Sequence, residues 1–162
     1  MDIIGLGEAM VEFNQTKSGK EYAPGFGGDT SNCIVAAARQ GANAGYISAV
    51  GSDTFGDLLV GMWKNEGVDT ATVQRNANAA TGIYFVTHGA DGHQFTYYRK
   101  GSAASLMTPA DMPTDAIKSA KILHISAISQ AISESACDAV FAAIKIARDG
   151  GVMVSYDTNL RL

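Results

Sequence analysis

The sequence predicts an α/β fold: a doubly wound, mainly parallel sheet with helices on both faces, plus a small antiparallel β-lid. Strand-like and helix-like segments alternate along most of the chain, which is typical of parallel sheets. One tightly joined hairpin, in residues 81–100, breaks the alternation and indicates a separate sheet. The length of 162 residues suits one domain, and 46% hydrophobic against 17% charged residues excludes a disordered chain.

Three extended segments precede the first predicted helix, at residues 2–7, 9–14 and 19–23. The helix is expected over residues 30–40, because Asp29-Thr30-Ser31-Asn32 supplies side chains that cap free backbone N–H groups. Gly41 follows, at the position where a left-handed residue commonly ends a helix. The first helix therefore begins close to the glycine pair Gly27-Gly28.

The second unit joins a buried strand, residues 44–50, to a helix over residues 54–66 that ends at Gly67. The apolar residues of this helix recur at helical spacing and form one face: Phe55, Leu58, Leu59, Met62 and Trp63. Such a stripe is typical of a helix that packs on the core of its own domain. We interpret it as core and not as a cofactor-binding surface.

Residues 81–88 and 93–100 are rich in β-branched and aromatic side chains, and Gly89-Ala90-Asp91-Gly92 between them is typical of a tight turn. Strands joined so closely are antiparallel. Together with the extended residues 9–23, they are predicted to form a lid inserted into the main domain.

The final unit is a strand, a helix and a strand, at residues 121–126, 134–148 and 152–156. Asp157, Asn159 and Arg161 follow the last strand, and ligands of doubly wound sheets bind beyond the carboxyl ends of strands. Alternatively, Asp157 and Arg161 form an ion pair with each other, and their position after the strand then implies no ligand site. Such a sheet normally continues with a helix, so we expect the chain to be the N-terminal part of a longer domain.

Charge and composition exclude several partners. The net charge of −4 includes no basic cluster, which excludes nucleic acid, and no apolar run reaches the ~18 residues that a membrane helix needs. The amino terminus has no basic leader or cleavage site, so a cytoplasmic location is expected. Cys33 and Cys137 are interpreted as buried thiols. No metal site is expected, because the three histidines of the chain lack the spacing of a zinc site. They are His88, His93 and His124.

Gly27-Gly28 is the most informative pointer to a ligand. Adjacent glycines let a backbone approach a ligand closely, and the polar residues 29–32 at the helix start suit a hydroxyl-rich or anionic molecule. A loop that merely caps the helix explains the same pattern. Gly5-Leu6-Gly7 is not a dinucleotide fingerprint, because it lacks a third glycine and a helix directly after it.

Arg99 ends the second hairpin strand beside Tyr97 and Tyr98. A guanidinium binds a carboxylate in bidentate fashion, and tyrosine hydroxyls form hydrogen bonds with sugar-like ligands. In an extended strand Tyr97 and Arg99 share one face, and Tyr98 lies on the other. A half-buried aromatic hairpin with a solvated arginine is the alternative interpretation.

Five stretches resemble, in the expected order, the N-terminal half of ribokinase-like (PfkB-type) carbohydrate kinases: Ile4-Gly5-Leu6-Gly7-Glu8, Gly27-Gly28-Asp29-Thr30-Ser31-Asn32, Val50-Gly51-Ser52-Asp53-Thr54-Phe55-Gly56, Thr81-Gly82-Ile83-Tyr84 and Asp157-Thr158-Asn159-Leu160-Arg161. Each is a weak signal alone, and their collinear order over residues 1–162 carries the resemblance. Residues 97–104 and the Asp-x-Asn-x-Arg ending look most similar to 2-keto-3-deoxygluconate kinases, with fructokinases the nearest alternative.

The resemblance implies phosphoryl transfer from ATP, with Mg²⁺, to a hydroxyl of a sugar or keto-sugar acid, most closely 2-keto-3-deoxygluconate. The residues that it implies for sugar binding are Gly28, Asp29, Thr30, Ser31, Asn32, Tyr84, Tyr97, Tyr98, Arg99 and Arg161. Asn159 and Arg161 are expected between the sugar and the transferred phosphate. Arg99 suits the acid group of a keto-sugar acid.

The catalytic base of the family lies in a Gly-Ala-Gly-Asp type of motif, which residues 1–162 lack. The resemblance therefore implies that this chain has no catalytic residue of its own and does not turn over ATP. A stand-alone sugar-binding module and a nucleoside kinase are the alternatives, and Arg99 disfavours the second because a nucleoside has no carboxylate. We also expect a homo-oligomer in which apolar side chains of the lid contact a second copy of the chain. The residues expected at this contact are Ile83, Phe85 and Phe95.

Overall fold

A central parallel sheet and a smaller second sheet make up the computed structural model, which describes residues 1–17, 19–90 and 92–160. The strands in chain order are β1 (Ile3–Leu6), β2 (Met10–Gln15), β3 (Tyr22–Gly27), β4 (Ala44–Gly51), β5 (Val73–Asn76), β6 (Ile83–Gly89), β7 (Gly92–Tyr98), β8 (Ile122–Ser126) and β9 (Met153–Asp157). The helices are α1 (Asp29–Arg39), α2 (Thr54–Asn65), α3 (Thr114–Ser119), α4 (Ala127–Ala131) and α5 (Glu134–Asp149).

Neighbouring strands of the central sheet are all parallel, in the order β5-β4-β1-β8-β9. The chain runs from β1 to β4 and β5 on one side, then returns to β8 and β9 on the other, so the strand order reverses between β1 and β8. The predicted parallel sheet is confirmed. The sequence analysis does not predict β5, because this four-residue edge strand carries a single apolar side chain, that of Val73.

Helices cover both faces of the central sheet, as predicted. Ile47 and Ala49 of β4 belong to a core with α5, whereas Tyr46 and Val50 belong to a core with α1 and α2. Because successive side chains of a strand point to opposite faces, every residue of β4 is buried between two layers. Among the residues described, no helix has the length and apolar character needed to cross a membrane.

The three predicted helices correspond to α1, α2 and α5, with ends displaced by one residue. Asp53 caps α2 by accepting a hydrogen bond from the backbone N–H of Gly56, and Ser133 caps α5 by accepting one from Ala136. The N-cap of α1 is Gly28, which has no side chain to accept a hydrogen bond. Of residues 29–32, which are predicted to cap the helix, Asp29 at the first helical position accepts a hydrogen bond from the backbone N–H of Thr30. The short helices α3 and α4 have six and five residues, too few to show a helical repeat in the sequence.

The second sheet, here called the lid, has the strand order β3-β2-β6-β7. Its outer pairs are antiparallel, as predicted, and its central pair β2–β6 is parallel, starting from Val11 opposite Ile83. Strand β3 extends to Gly27, four residues beyond the predicted range. Ile83 and Phe85 lie on the lid face that carries Phe13, whereas Phe95 lies on the opposite face, so the three predicted oligomer contacts do not form one patch.

The glycine pair makes the sharp connection from the lid into α1. Gly28 has φ of 148°, and a Cβ there would lie 2.8 Å from the carbonyl oxygen of Glu8 and 2.9 Å from Cα of Ala9. A Cβ at Gly27 would collide with the ring and hydroxyl of Tyr84. The close approach that these glycines permit is therefore an approach to protein backbone and to a lid side chain.

Candidate functional site

A cleft of about 330 Å³ lies between the lid and the carboxyl edge of the central sheet. Glu8 enters it from the segment after β1, and Ile128 from the segment after β8. These are the two strands between which the strand order reverses, the usual ligand position in open α/β sheets. The side chains and backbone that line the cleft belong to Glu8, Met10, Glu12, Phe26, Gly27, Gly28, Asp29, Asn32, Tyr84, Phe95, Tyr97, Arg99 and Ile128.

The lid presents a wall of stacked aromatic rings to the cleft. The ring centroids of Tyr84 and Tyr97 lie 5.6 Å apart, and those of Phe95 and Tyr97 lie 6.2 Å apart. Alternation along β6 and β7 brings these residues to one face. Phe95 and Tyr97 are 54% and 52% exposed, so the wall offers apolar ring faces and a hydroxyl to a ligand.

Arg99 forms a buried ion pair with Glu8. Its Nη2 lies 2.5 Å, and its Nε 2.8 Å, from Oε2 of Glu8, while the Ser102 hydroxyl donates to Oε1 at 2.5 Å. The Glu8 side chain is 2% exposed and that of Arg99 is 24% exposed. The guanidinium that the sequence analysis assigns to a substrate carboxylate thus already faces a carboxylate of the protein.

Tyr84 and Glu12 form a second polar contact in the cleft. The Tyr84 hydroxyl donates a short hydrogen bond to Oε2 of Glu12, and the amide of Asn14 donates to Oε1 at 3.1 Å. Burial raises the pKa of the Tyr84 hydroxyl above its ordinary value, and the adjacent Glu12 carboxylate raises it further. Tyr84 therefore remains a protonated donor at neutral pH.

The first turn of α1 and the end of β9 meet beside the cleft. Oδ1 of Asp29 accepts a hydrogen bond from the backbone N–H of Thr30, and Oδ2 accepts one from Nδ2 of Asn159 at 3.0 Å. Asn159 has a positive φ of 45°, and its backbone N–H donates to Asp157. The structure therefore brings Asn159 to Asp29, although Asn159 does not line the cleft itself.

Thr30 and Ser31 point away from the cleft, which corrects the expectation that they line it. Both are buried, the Thr30 hydroxyl lies 2.8 Å from that of Tyr46, and Nε1 of Trp63 donates to the Ser31 hydroxyl at 2.8 Å. One side of a helix start faces the ligand cleft and the other must pack on the core. Their role is to attach the first turn of α1 to the protein interior.

Tyr98 also lies apart from the cleft. It is 63% exposed on the opposite face of the lid and makes an edge-to-face contact with Phe85, with ring centroids 6.0 Å apart. Strand alternation, which separates Tyr98 from Tyr97 and Arg99, accounts for this position. Arg161, which the resemblance assigns to the sugar and the phosphate, lies outside the described residues.

Six residues that line the cleft are not among the predicted site residues: Glu8, Met10, Glu12, Phe26, Phe95 and Ile128. Glu8 and Ile128 follow the carboxyl ends of β1 and β8, so the rule applied to Asp157 would have found them. The twofold repeat of β2 then places Met10 and Glu12 on one face. No local pattern marks Phe26, because the pairing of β3 with β2 brings it to the cleft.

Carboxylates outnumber cations among the side chains that line the cleft. Glu8, Glu12 and Asp29 are acidic, and Arg99, paired with Glu8, is the basic residue that accompanies them. Within the described ranges, no group of three or more His, Cys, Asp and Glu side chains is arranged to hold a metal ion. The cleft is therefore suited to hydrogen bonding with hydroxyl groups more than to binding an anion.

Comparisons with known proteins agree with this architecture. Residues 1–161 match the pfkB family of carbohydrate kinases. Fructokinase-2 of Solanum lycopersicum is 38% identical over 167 residues, which cover 99% of this chain and 51% of that protein. The chain thus spans about half the length of the curated relatives that it matches.

Two solved structures show the same arrangement of elements. The structure of fructokinase with bound ATP from Xylella fastidiosa has a TM-score of 0.92 at 27% identity, covering 99% of this chain and 49% of that one. The 2-dehydro-3-deoxygluconokinase structure from Thermotoga maritima has a TM-score of 0.92 at 26% identity, covering 99% and 52%. From the match over almost its whole length, the chain belongs to the pfkB family of carbohydrate kinases.

Proposed function

We propose that this chain supplies the sugar-binding part of an ATP-dependent kinase that phosphorylates a hydroxyl of a neutral ketohexose such as fructose. The observation that carries the proposal is the cleft between the aromatic lid and the first turn of α1, with its excess of carboxylates. The fructokinase relatives support the choice of sugar.

The polar groups of the cleft match the needs of a polyol. Carboxylate oxygens of Glu12 and Asp29 accept hydrogen bonds from sugar hydroxyls, and the amide of Asn32 both donates and accepts. The rings of Tyr84 and Tyr97 provide an apolar surface for the carbon skeleton. These contacts hold the sugar in a defined orientation, which is the main requirement of phosphoryl transfer.

The lid has a second role in the proposal. A sheet that closes over the sugar excludes water, which otherwise competes with the sugar hydroxyl for the phosphoryl group. The lid is attached to the core through the Glu8–Arg99 pair and the glycine connection at Gly27-Gly28.

ATP as the phosphoryl donor is part of the proposal and rests on the family and on the relative whose structure is named with bound ATP. Over residues 1–17, 19–90 and 92–160, the structure shows no cluster of three or more His, Cys, Asp and Glu side chains that could hold a metal ion. We place Asn159 on the phosphate side of the sugar, together with Arg161, which lies outside the described residues. We assign no step of the reaction to these groups.

A second candidate substrate is 2-keto-3-deoxygluconate, and the observation that favours it is Arg99 in the cleft. Nε and Nη2 of Arg99 face Glu8, which leaves Nη1 to meet a ligand carboxylate. Against this candidate, the same carboxylate would lie near Glu12 and Asp29, and like charges repel in a partly buried site. A neutral sugar avoids that repulsion.

Binding to the 162-residue chain distinguishes these substrates. We expect saturation-transfer NMR to show contact with fructose, and Asn32→Ala to weaken binding about tenfold through the loss of its hydrogen bonds. Tyr98→Phe, on the opposite face of the lid, is the matched control and should leave binding unchanged. Tighter binding of 2-keto-3-deoxygluconate, with a larger loss for the acid than for fructose in Arg99→Ala, would establish the second candidate instead.

Turnover is a separate test. Without the Gly-Ala-Gly-Asp motif, the chain is expected to release no ADP from ATP in the presence of either sugar, measured in a coupled assay. Sugar-dependent ADP release would show that the catalytic base lies within residues 1–162. Failure of both sugars to bind would overturn the proposed function.

A further inference from the structure

Two histidines meet at the end of the lid hairpin, away from the sugar cleft. His88 of β6 and His93 of β7 are cross-strand partners, and their Nδ1 atoms lie 2.7 Å apart. The rings are nearly perpendicular, with centroids separated by 4.7 Å, and both side chains are exposed. No metal site is predicted from them, because their spacing along the chain is not that of a zinc motif.

The hydrogen bonds around the pair determine which nitrogens carry protons. Nδ2 of Asn14 donates to Glu12, which turns Oδ1 of Asn14 toward His88, and Nε2 of His88 lies 2.9 Å from that oxygen. Because an amide oxygen only accepts, Nε2 of His88 carries a proton and its Nδ1 holds a lone pair. That lone pair faces Nδ1 of His93, so in a hydrogen bond between the two rings His93 is the donor.

We propose that His88 and His93 bind a divalent transition-metal ion, such as Zn²⁺, through their two Nδ1 atoms. The ion replaces the hydrogen bond between the rings: the proton on Nδ1 of His93 leaves to solvent and Nε2 of His93 takes one up, so both imidazoles bind as neutral ligands. Water completes the coordination because the site is exposed. Zinc–nitrogen bonds of about 2.0–2.1 Å in tetrahedral geometry place two ligand nitrogens about 3.3 Å apart, so the rings must rotate to separate the two Nδ1 atoms further than the 2.7 Å seen here.

The surroundings resemble those of a histidine metal ligand. A ligating imidazole usually donates its other N–H to a carbonyl or carboxylate oxygen, which fixes the tautomer and the ring orientation. Asn14 provides this contact for His88 from the neighbouring strand β2. Imidazole ligands select zinc, copper or nickel ions over Mg²⁺, so the site is chemically distinct from the metal that accompanies ATP.

Bound metal would join β6 to β7 and, through Asn14, to β2. The hairpin end contains few buried side chains, and every residue of β7 is exposed. A ligand that binds the folded hairpin alone stabilises it by mass action. The site therefore links the order of the lid to the availability of a transition metal.

The test is isothermal titration calorimetry, in which zinc chloride is added to the 162-residue chain at neutral pH. We expect one zinc ion per chain, and a loss of affinity of at least about tenfold in both His88→Ala and His93→Ala. Asn14→Ala should weaken binding by a smaller factor, since it removes the orienting contact and not a ligand. Gln94→Ala, an exposed neighbour of His93 on β7, is the matched control and should bind zinc as the unaltered chain does.

A second measurement identifies the atoms involved. ¹⁵N NMR of the imidazoles should show zinc on Nδ1 of both rings, with the proton retained on Nε2 of His88. Wild-type affinity in either histidine variant, with circular dichroism showing that the variant is folded, would overturn the proposal. So would zinc-dependent shifts at His124 with none at His88. Neither outcome affects the sugar-binding test, because Asn32 and Tyr98 play no part in this site.

Discussion

The two sheets of this molecule use similar residues in opposite ways. Every residue of β4 in the central sheet is buried, and every residue of β7 in the lid is exposed. Tyr46 in the first is fully buried beside Trp63, whereas Tyr97 in the second is half-exposed above the cleft. The comparison teaches that the central sheet provides stability, and that the lid retains accessible aromatic surface for a ligand.

The largest expected contrast is between an aromatic residue of each sheet. Trp63→Ala should lower the free energy of unfolding by about 3–5 kcal/mol, since it removes a fully buried ring and leaves a cavity. Tyr97→Ala should cost below about 1 kcal/mol, because cross-strand contacts of exposed residues contribute little. Urea denaturation measures both. Equal losses would refute the division of roles between the sheets.

The connection between the sheets is the next target. Arg99→Gln leaves the carboxylate of Glu8 buried without its partner and should cost about 3 kcal/mol. Adding Glu8→Gln to Arg99→Gln should recover part of that loss, because no uncompensated charge then remains. Arg39→Gln breaks the exposed Arg39–Glu66 pair and serves as the control, with a much smaller effect. Additive losses in the double variant would show that the two side chains do not interact.

A smaller effect is expected beneath the first turn of α1. Tyr46→Phe removes the partner of the buried Thr30 hydroxyl and should cost about 1–2 kcal/mol. Tyr98→Phe removes an exposed hydroxyl of the lid and should leave the midpoint of urea denaturation unchanged. If both variants behave alike, the hydroxyl contact at Thr30 does not stabilise the helix start.

The smallest effect concerns pH. Burial lowers the pKa of His124 below its ordinary value of 6.5, while Asp157 and Asp29 oppose that shift. The unfolded state therefore binds a proton more readily, and stability that is full above pH 6.5 decreases as the pH falls toward the folded-state pKa. We measure the free energy of unfolding between about pH 7 and pH 5, a range that includes the ordinary pKa of histidine. Its slope against pH should be shallower in His124→Gln than in the unaltered chain. An unchanged slope would assign the pH dependence to other groups.

Much of this architecture follows from local patterns in the chain. The apolar stripe ending in Trp63 identifies α2 as a core helix, and Ser133 marks the beginning of α5. The tight turn before His93 indicates the lid hairpin. The weaker elements β5, α3 and α4 escape prediction, because segments of four to six residues contain too little of a repeat.

The candidate site is predicted less completely. Asn32, Tyr84 and Arg99 lie together in the cleft, as the resemblance implies. The order of residues along α1 does not reveal that Thr30 and Ser31 face inward, since that depends on Tyr46 and Trp63, which are distant in sequence. Nor does a strand-end arginine reveal its partner, because Glu8 lies 91 residues away.

The sequence by itself determined the elements, their alternation and the separate lid, because periodicity, capping and turn residues act over a few positions. Only the tertiary structure decided that Arg99 pairs with Glu8, that the glycine pair accommodates Tyr84 and the backbone of Ala9, and that two histidines meet. The physical reason is that charge pairing and close packing join residues from different strands, and their partners are set by the register and packing of whole sheets.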